Sequence, residues 1–218
     1  MPVLLSQHTP EAAPFAMDWF GRAAGLQVLA AERERIAALL AATAPWLWLA
    51  PLPADDADLP PRGLRLHRDE PDGLAGAVRC GLPLPLVNES YGLVVVQHAL
   101  DDGRLPGLLE EVERILQPGG RLWLFALSPF SPWRLRWRAT GLQARTPMAW
   151  QRQLRAAGLQ ADFARIERFG PVWCEAGTTR MPHALRAACL IGAQKRIAPL
   201  TPAKATSGWR ADTAPVGY

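Results

Sequence analysis

The spacing of apolar positions changes period twice within residues 91–125, and the rest of the chain is organised around that stretch. Leu93, Val94, Val95 and Val96 form an unbroken apolar run rich in β-branched side chains, the pattern of a strand buried on both faces. From Leu105 the period becomes helical. Leu105, Leu108, Leu109, Val112 and Leu116 share one face, and Glu110, Glu111, Glu113 and Arg114 occupy the other. Asp101 and Asp102 stand upstream, where carboxylates favour a helix N-terminus, Pro106 suits a first turn, and Pro118-Gly119-Gly120 ends the helix. Leu122 to Phe125 is a second apolar strand. A strand, a helix of roughly four turns and a strand joined by short loops make a right-handed crossover between parallel strands, so the unit is α/β.

The same alternation extends outwards. Leu26, Leu29, Arg33, Ile36 and Leu40 mark one stripe of a helix running to about Ala42, with its charged centre, residues 32–35, reading as solvated. Trp46-Leu47-Trp48-Leu49 predicts the first strand, Leu64-Arg65-Leu66-His67 the second and Ala77-Val78-Arg79-Cys80 the third. Residues 146–157 predict a helix closed by Gly158, and residues 159–169 and 184–196 the last two strands. Residues 1–13 read as an unstructured lead. The expected division is a helical lead-in over residues 1–45, an α/β domain over 46–198 and a disordered tail over 199–218, rich in Pro, Thr, Ala and Gly.

The order S-Y-G-L-V-V-V-Q-H-A-L followed by L-L-E-E-V-E-R-I-L-Q-P-G-G-R-L-W-L resembles the fourth strand, following helix and fifth strand of class I S-adenosylmethionine-dependent methyltransferases, in particular their type 11 group. Leu82-Pro83-Leu84-Pro85 is similar to that group's LPFP segment, and the run from Ser128 to Trp133 to its NPxSxW segment. The resemblance spans residues 18–199. It implies a three-layer, Rossmann-like α/β sandwich with a mostly parallel sheet and an antiparallel last strand, S-adenosylmethionine as cofactor, and a small molecule or protein as methyl acceptor.

Against that pattern the first loop departs. A class I methyltransferase continues its first strand with a glycine-rich turn, which lets the backbone approach the cofactor and frees N–H groups to hold it. Here the chain reads Ala50-Pro51-Leu52-Pro53-Ala54-Asp55-Asp56, and no glycine occurs between Gly25 and Gly63. Two prolines remove two donors, and Leu59-Pro60-Pro61 cannot prolong a helix, so the helix linking strands one and two is shortened or absent. Ala50 and Pro51 thus hold the positions of the cofactor loop. Asp69, about 20 residues on, stands where a ribose-binding carboxylate sits in a nucleotide-binding unit, although a solvated turn acid is the alternative. By resemblance the backbone at Leu82 borders the adenine. Gln97 and His98 lie at the carboxyl end of the fourth strand, the edge at which open α/β sheets bind ligands. His98 reads either as a general base for a substrate hydroxyl or amine, or as a helix cap or cofactor contact.

Charge adds a second theme. Residues 1–120 carry 9 basic against 16 acidic side chains and residues 121–218 carry 15 against 4, and 22 of the cations are Arg. Within the basic half, residues 133–145 interleave Trp133 and Trp137 with Arg134, Arg136, Arg138 and Arg145. That pattern suits a substrate lid or a partner-docking surface, and also single-stranded nucleic acid. Cys80, Cys174 and Cys189 lack any paired spacing, which argues for a reducing compartment and against a zinc site. With no h-region and no apolar stretch long enough for a span, the expected location is cytoplasmic. Two functional readings follow: a methyltransferase with an atypical cofactor loop, and a pseudo-enzyme that kept the fold, lost the donor and serves as an interaction subunit. Nucleic-acid binding through residues 133–145 is a third.

Overall fold

The computed structural model describes residues 15–54, 59–69, 72–172 and 185–196, with the backbone alone for residues 162–165. The expected lead and tail, the acids at 55, 56, 58 and 70, and most of the connection before the last strand lie outside the described residues. A short 3-10 helix, Ala16–Gly21, leads into α1 (Ala23–Ala42). Then come β1 (Trp46–Ala50), β2 (Gly63–Asp69), β3 (Gly73–Gly76), β4 (Tyr91–Gln97), α2 (Leu108–Ile115), β5 (Leu116–Leu127), α3 (Arg134–Ala139), α4 (Pro147–Ala156), β6 (Leu159–Phe169) and β7 (Ala188–Lys195).

The seven strands among the described residues form one sheet in the order β3-β2-β1-β4-β5-β7-β6. β2, β1, β4 and β5 run parallel, and β7 inserts antiparallel between β5 and β6. The side chains explain the layers. Leu47, Leu49, Leu66, Val94, Val96, Leu122 and Leu124 point to one face and pack under α2 and α4, through Leu108, Val112, Ile115, Trp150 and Leu154. Trp46, Leu93, Val95, Phe125 and Leu190 point to the other, under Ile36, Leu39 and Leu40 of α1. A third cluster gathers Met17, Trp19 and Phe20 of the 3-10 helix with Val28, Leu127 and Trp137. Helices on both faces of a mostly parallel sheet make the three-layer α/β sandwich expected from the sequence, and Val112 is fully buried, as its place in the apolar stripe requires.

Three expectations are corrected. The helix after β4 spans eight residues, not the four turns read from Leu105, because Gly107 takes a left-handed conformation (φ 86°) at its N-cap. At the other end Gln117, preceding Pro118, is barred from helical backbone, so Leu116 already belongs to β5. The third strand is Gly73–Gly76 rather than residues 77–80. It pairs antiparallel with β2, because so few residues follow Asp69 that only a hairpin return is possible. Leu74 fills the core, Val78 is exposed, and Cys80 meets the sheet only through one bridge to Leu74. Finally, Glu32 is fully buried and Leu26 is 51% exposed, so the inward stripe of α1 is Val28, Glu32, Ile36 and Leu39-Leu40. No described helix is long and apolar enough to cross a membrane.

Candidate functional site

The carboxyl ends of β1, β2 and β4 meet beneath α1 and the 3-10 helix. β4 ends at Gln97, and His98 follows in a left-handed conformation (φ 54°) that is uncommon for a side-chain-bearing residue. Its amide still donates to Phe125 O of β5 at 2.9 Å, so the turn swings the ring inward while the backbone stays in the sheet. The imidazole is completely buried. Nδ1 lies 2.7 Å from Asp101 Oδ2 and Nε2 lies 3.0 Å from Glu32 Oε1, while the Phe20 ring stacks on it at 4.6 Å. With both carboxylates ionised, the ring satisfies them only when doubly protonated. Burial by itself would lower its pKa, but the charge of Glu32 and the hydrogen bonds to both carboxylates outweigh burial and carry it up to about 10.

The network continues to either side. Glu32 Oε2 accepts from Gln97 Nε2 at 2.8 Å, and Gln97 Oε1 accepts from Trp48 Nε1 at 3.2 Å, tying α1, β4 and β1 together. Asp101 Oδ2 also accepts the Leu127 amide at 3.0 Å. Burial pushes the Asp101 carboxyl up, against the His98 contact, and its Oδ1 is buried with no hydrogen bond among the described residues. A second buried pair lies alongside. The Arg68 guanidinium forks onto both oxygens of Asp102, at 3.2 and 2.8 Å, and also donates to Ala99 O at 2.9 Å. Asp101 and Asp102 therefore do not cap α2 as the sequence suggested. Each instead neutralises a buried cation.

Beside this network, on the α1 side of the sheet, lies a cavity of about 400 Å³. Ala50, Pro51 and Gln97, three of the residues predicted from the resemblance, line it with Trp48 and Arg65. Arg65 lies over the Trp48 ring at 4.6 Å and donates to Leu52 O and Ala54 O at 2.9 and 2.8 Å, which fixes the path of the loop. The other predicted residues are elsewhere. His98 belongs to the buried network, Asp69 is paired with Arg79 at 2.7 Å, and Leu82 packs against the core on the α2 face.

In the 133–145 segment Arg134, Arg136 and Arg138 are exposed, but Trp137 is fully buried and Trp133 half-buried against Trp19 at 6.3 Å. Trp137 is a core residue, and the half-buried Trp133 carries the Arg136 guanidinium over its ring at 5.0 Å, so the two rings do not form one exposed stacking platform.

Sequence reasoning missed Glu32, Arg68 and the pairing role of the two aspartates. One signal was present: Val28, Glu32 and Ile36 fall at i, i+4 and i+8, so a helix that buries Val28 and Ile36 must also bury Glu32.

No protein-family model and no curated protein matches the chain. Solved structures do. A chain from the complex of the Haloferax volcanii Trm112 methyltransferase activator aligns over 83% of this chain and 97% of its own, with a TM-score of 0.48 and 14% identity. An S-adenosylmethionine-dependent methyltransferase from Mesorhizobium loti aligns over 72% and 96%, with a TM-score of 0.45 and 17% identity. One from Methanosarcina mazei aligns over 68% and 74%, with a TM-score of 0.40 and 15% identity. What fixes the architecture is the molecule itself: helices on both faces, parallel central strands and an antiparallel β7 inserted beside β5. The chain has a three-layer, Rossmann-like α/β sandwich.

Proposed function

We propose that this chain is a methyltransferase-fold protein that has exchanged the cofactor site for a buried ion network and acts as an interaction subunit rather than as a methyl-transfer enzyme. The observation that carries the reading is the sealing of His98. An open α/β sheet uses the carboxyl ends of its strands to bind ligands. Here the polar groups at those ends are spent on one another: Glu32, Gln97, His98 and Asp101 in one network, Arg68 and Asp102 in another. Phe20 covers the ring that the sequence offered as a general base. A histidine that touches no solvent and is held as an imidazolium cannot take a proton from an acceptor.

The residues present also do not fit S-adenosylmethionine. Pro51 and Pro53 have no N–H to give, and Asp69 is engaged by Arg79. The interaction role is supported by the surface between β5 and β6, where Phe130, Leu135 and Met148 are 55%, 70% and 66% exposed on the same stretch as Arg134, Arg136 and Arg138. The test is thermal melting with millimolar S-adenosylmethionine, since a ligand far above its dissociation constant must raise native stability. No rise is expected. A saturable rise of several degrees would restore the methyltransferase reading.

A further inference from the structure

Between Glu113 and Asp162 the chain carries no Asp or Glu, while eight arginines fall within that run. The run supplies α3 and α4. Both helices start at one edge of the sheet: β5 hands the chain to α3 at its carboxyl end, and α4 returns from there to β6, which parallels β5 across the antiparallel β7. A buried tryptophan fixes the rotation of each helix. Trp137 is fully buried with Met17 and Leu127, so Leu135, two residues earlier and about 200° around the helix, points away from the protein and is 70% exposed. Arg134 and Arg138 lie on one flank of it and Arg136 on the other. On α4 the burial of Trp150 and Leu154 turns Met148 and Arg152 outward together, at i and i+4. Phe130, in the turn entering α3, is exposed at the same edge.

Projecting apolar side chains are thus set among charges of one sign. No carboxylate belongs to either helix, and the side chains of Arg134, Arg138 and Arg152 make no hydrogen bond or ion pair among the described residues. We infer that this edge docks on an anionic lipid bilayer, with Phe130, Leu135 and Met148 entering the headgroup region and Arg134, Arg138 and Arg152 on the lipid phosphates. The inference deepens the interaction reading above and rests on it for the choice of surface. Elements that lie on membranes share this build: apolar side chains sunk to the edge of the acyl layer, with Lys and Arg around them. A nucleic acid would engage the arginines but leave Leu135 and Met148 in water, since neither has a ring on which a base can stack. An acidic protein would need a pocket for each projecting side chain, whereas a fluid bilayer closes around them.

Flotation of the full chain with vesicles of mixed phosphatidylglycerol and phosphatidylcholine tests it, with pure phosphatidylcholine vesicles as the comparison. The mixed vesicles should carry the protein, and the neutral ones should bind it about a hundredfold more weakly, the loss expected for three arginines near a charged surface. Changing Arg134, Arg138 and Arg152 together to Gln should produce a similar drop. Leu135→Ser removes no charge and should weaken binding about tenfold. Both variants should melt with the parent, since all four positions are exposed. The inference is overturned if the wild-type chain does not float with mixed vesicles, if neutral vesicles bind it as well, or if either variant binds like the parent. Tight binding of a single-stranded oligonucleotide that displaces the vesicles and is unchanged in Leu135→Ser would also overturn it, by making the surface a nucleic-acid site. A saturable melting shift with S-adenosylmethionine in a chain that still floats would instead refute the non-catalytic reading and leave the docking standing. No shift and no flotation would do the reverse.

Discussion

Two parallel connections in one sheet are built in opposite ways. Between β4 and β5 the chain forms α2, whose buried face of Leu108, Leu109, Val112 and Ile115 seals one side of the sheet. Between β1 and β2 it runs through Pro51, Pro53, Pro60 and Pro61, and the side chains Trp48 and Arg65 do the covering. The first connection is held by apolar packing along a helix face, and the described part of the second by the hydrogen bonds of Arg65 to two loop carbonyls, with Leu52 and Leu59 packed against the apolar clusters. Among its described residues this connection has no helix, and so offers neither an apolar helix face nor a helix N-terminus whose N–H groups could receive an anion. Buried carboxylate–cation pairs occupy the nearby strand ends.

If packing governs the helical crossover, Val112→Asp should be the most damaging change, costing on the order of 4 kcal/mol or more because an unpaired carboxylate enters a dry core. Denaturant unfolding measures it, and a variant as stable as the parent would break the assignment. At the strand ends, Glu32→Ala removes one partner of the buried imidazolium and orphans Gln97 Nε2, and should cost about 3 kcal/mol. A cost below about 0.5 kcal/mol would mean the network is dispensable.

The same network predicts a pH slope. The folded pKa of His98, about 10, lies above its ordinary 6.5, so its stabilisation is complete below the lower value and is lost as pH rises towards the upper. The melting temperature should therefore fall between those limits, and the slope should flatten in Glu32→Ala. The smallest effect belongs to the basic surface: changing Arg134, Arg136 and Arg138 together to Gln should alter stability by less than about 0.5 kcal/mol, since all three are exposed. A large drop in melting temperature would show that α3 depends on them.

What was legible in the sequence followed from how many residues repeated the same message. The runs Leu93 to Val96 and Leu122 to Phe125 each state a buried strand several times over, and their positions came out correctly. The absence of any glycine between Gly25 and Gly63 was equally plain, and Pro51 and Pro53 exclude donors whatever the tertiary context. The network was less legible because it depends on single residues brought together from afar: Glu32 and His98 are 66 positions apart, and Arg68 and Asp102 are 34. A charged residue inside a helix pattern reads as solvated unless the register of its neighbours is followed. β3 failed for a local reason, since Ala77, Val78 and Cys80 looked like a strand while Leu74, in the short segment between Gly73 and Gly76, took the place in the sheet.

The central claim is that His98 is a sealed imidazolium and not an accessible base. Long-range nitrogen–proton NMR of the histidine side chains, followed across pH with and without millimolar S-adenosylmethionine, addresses it directly. Both ring nitrogens of His98 should remain protonated until about pH 10, and its signals should not move when the cofactor is added. A titration midpoint near 6.5, or a saturable shift on adding S-adenosylmethionine, would contradict the account.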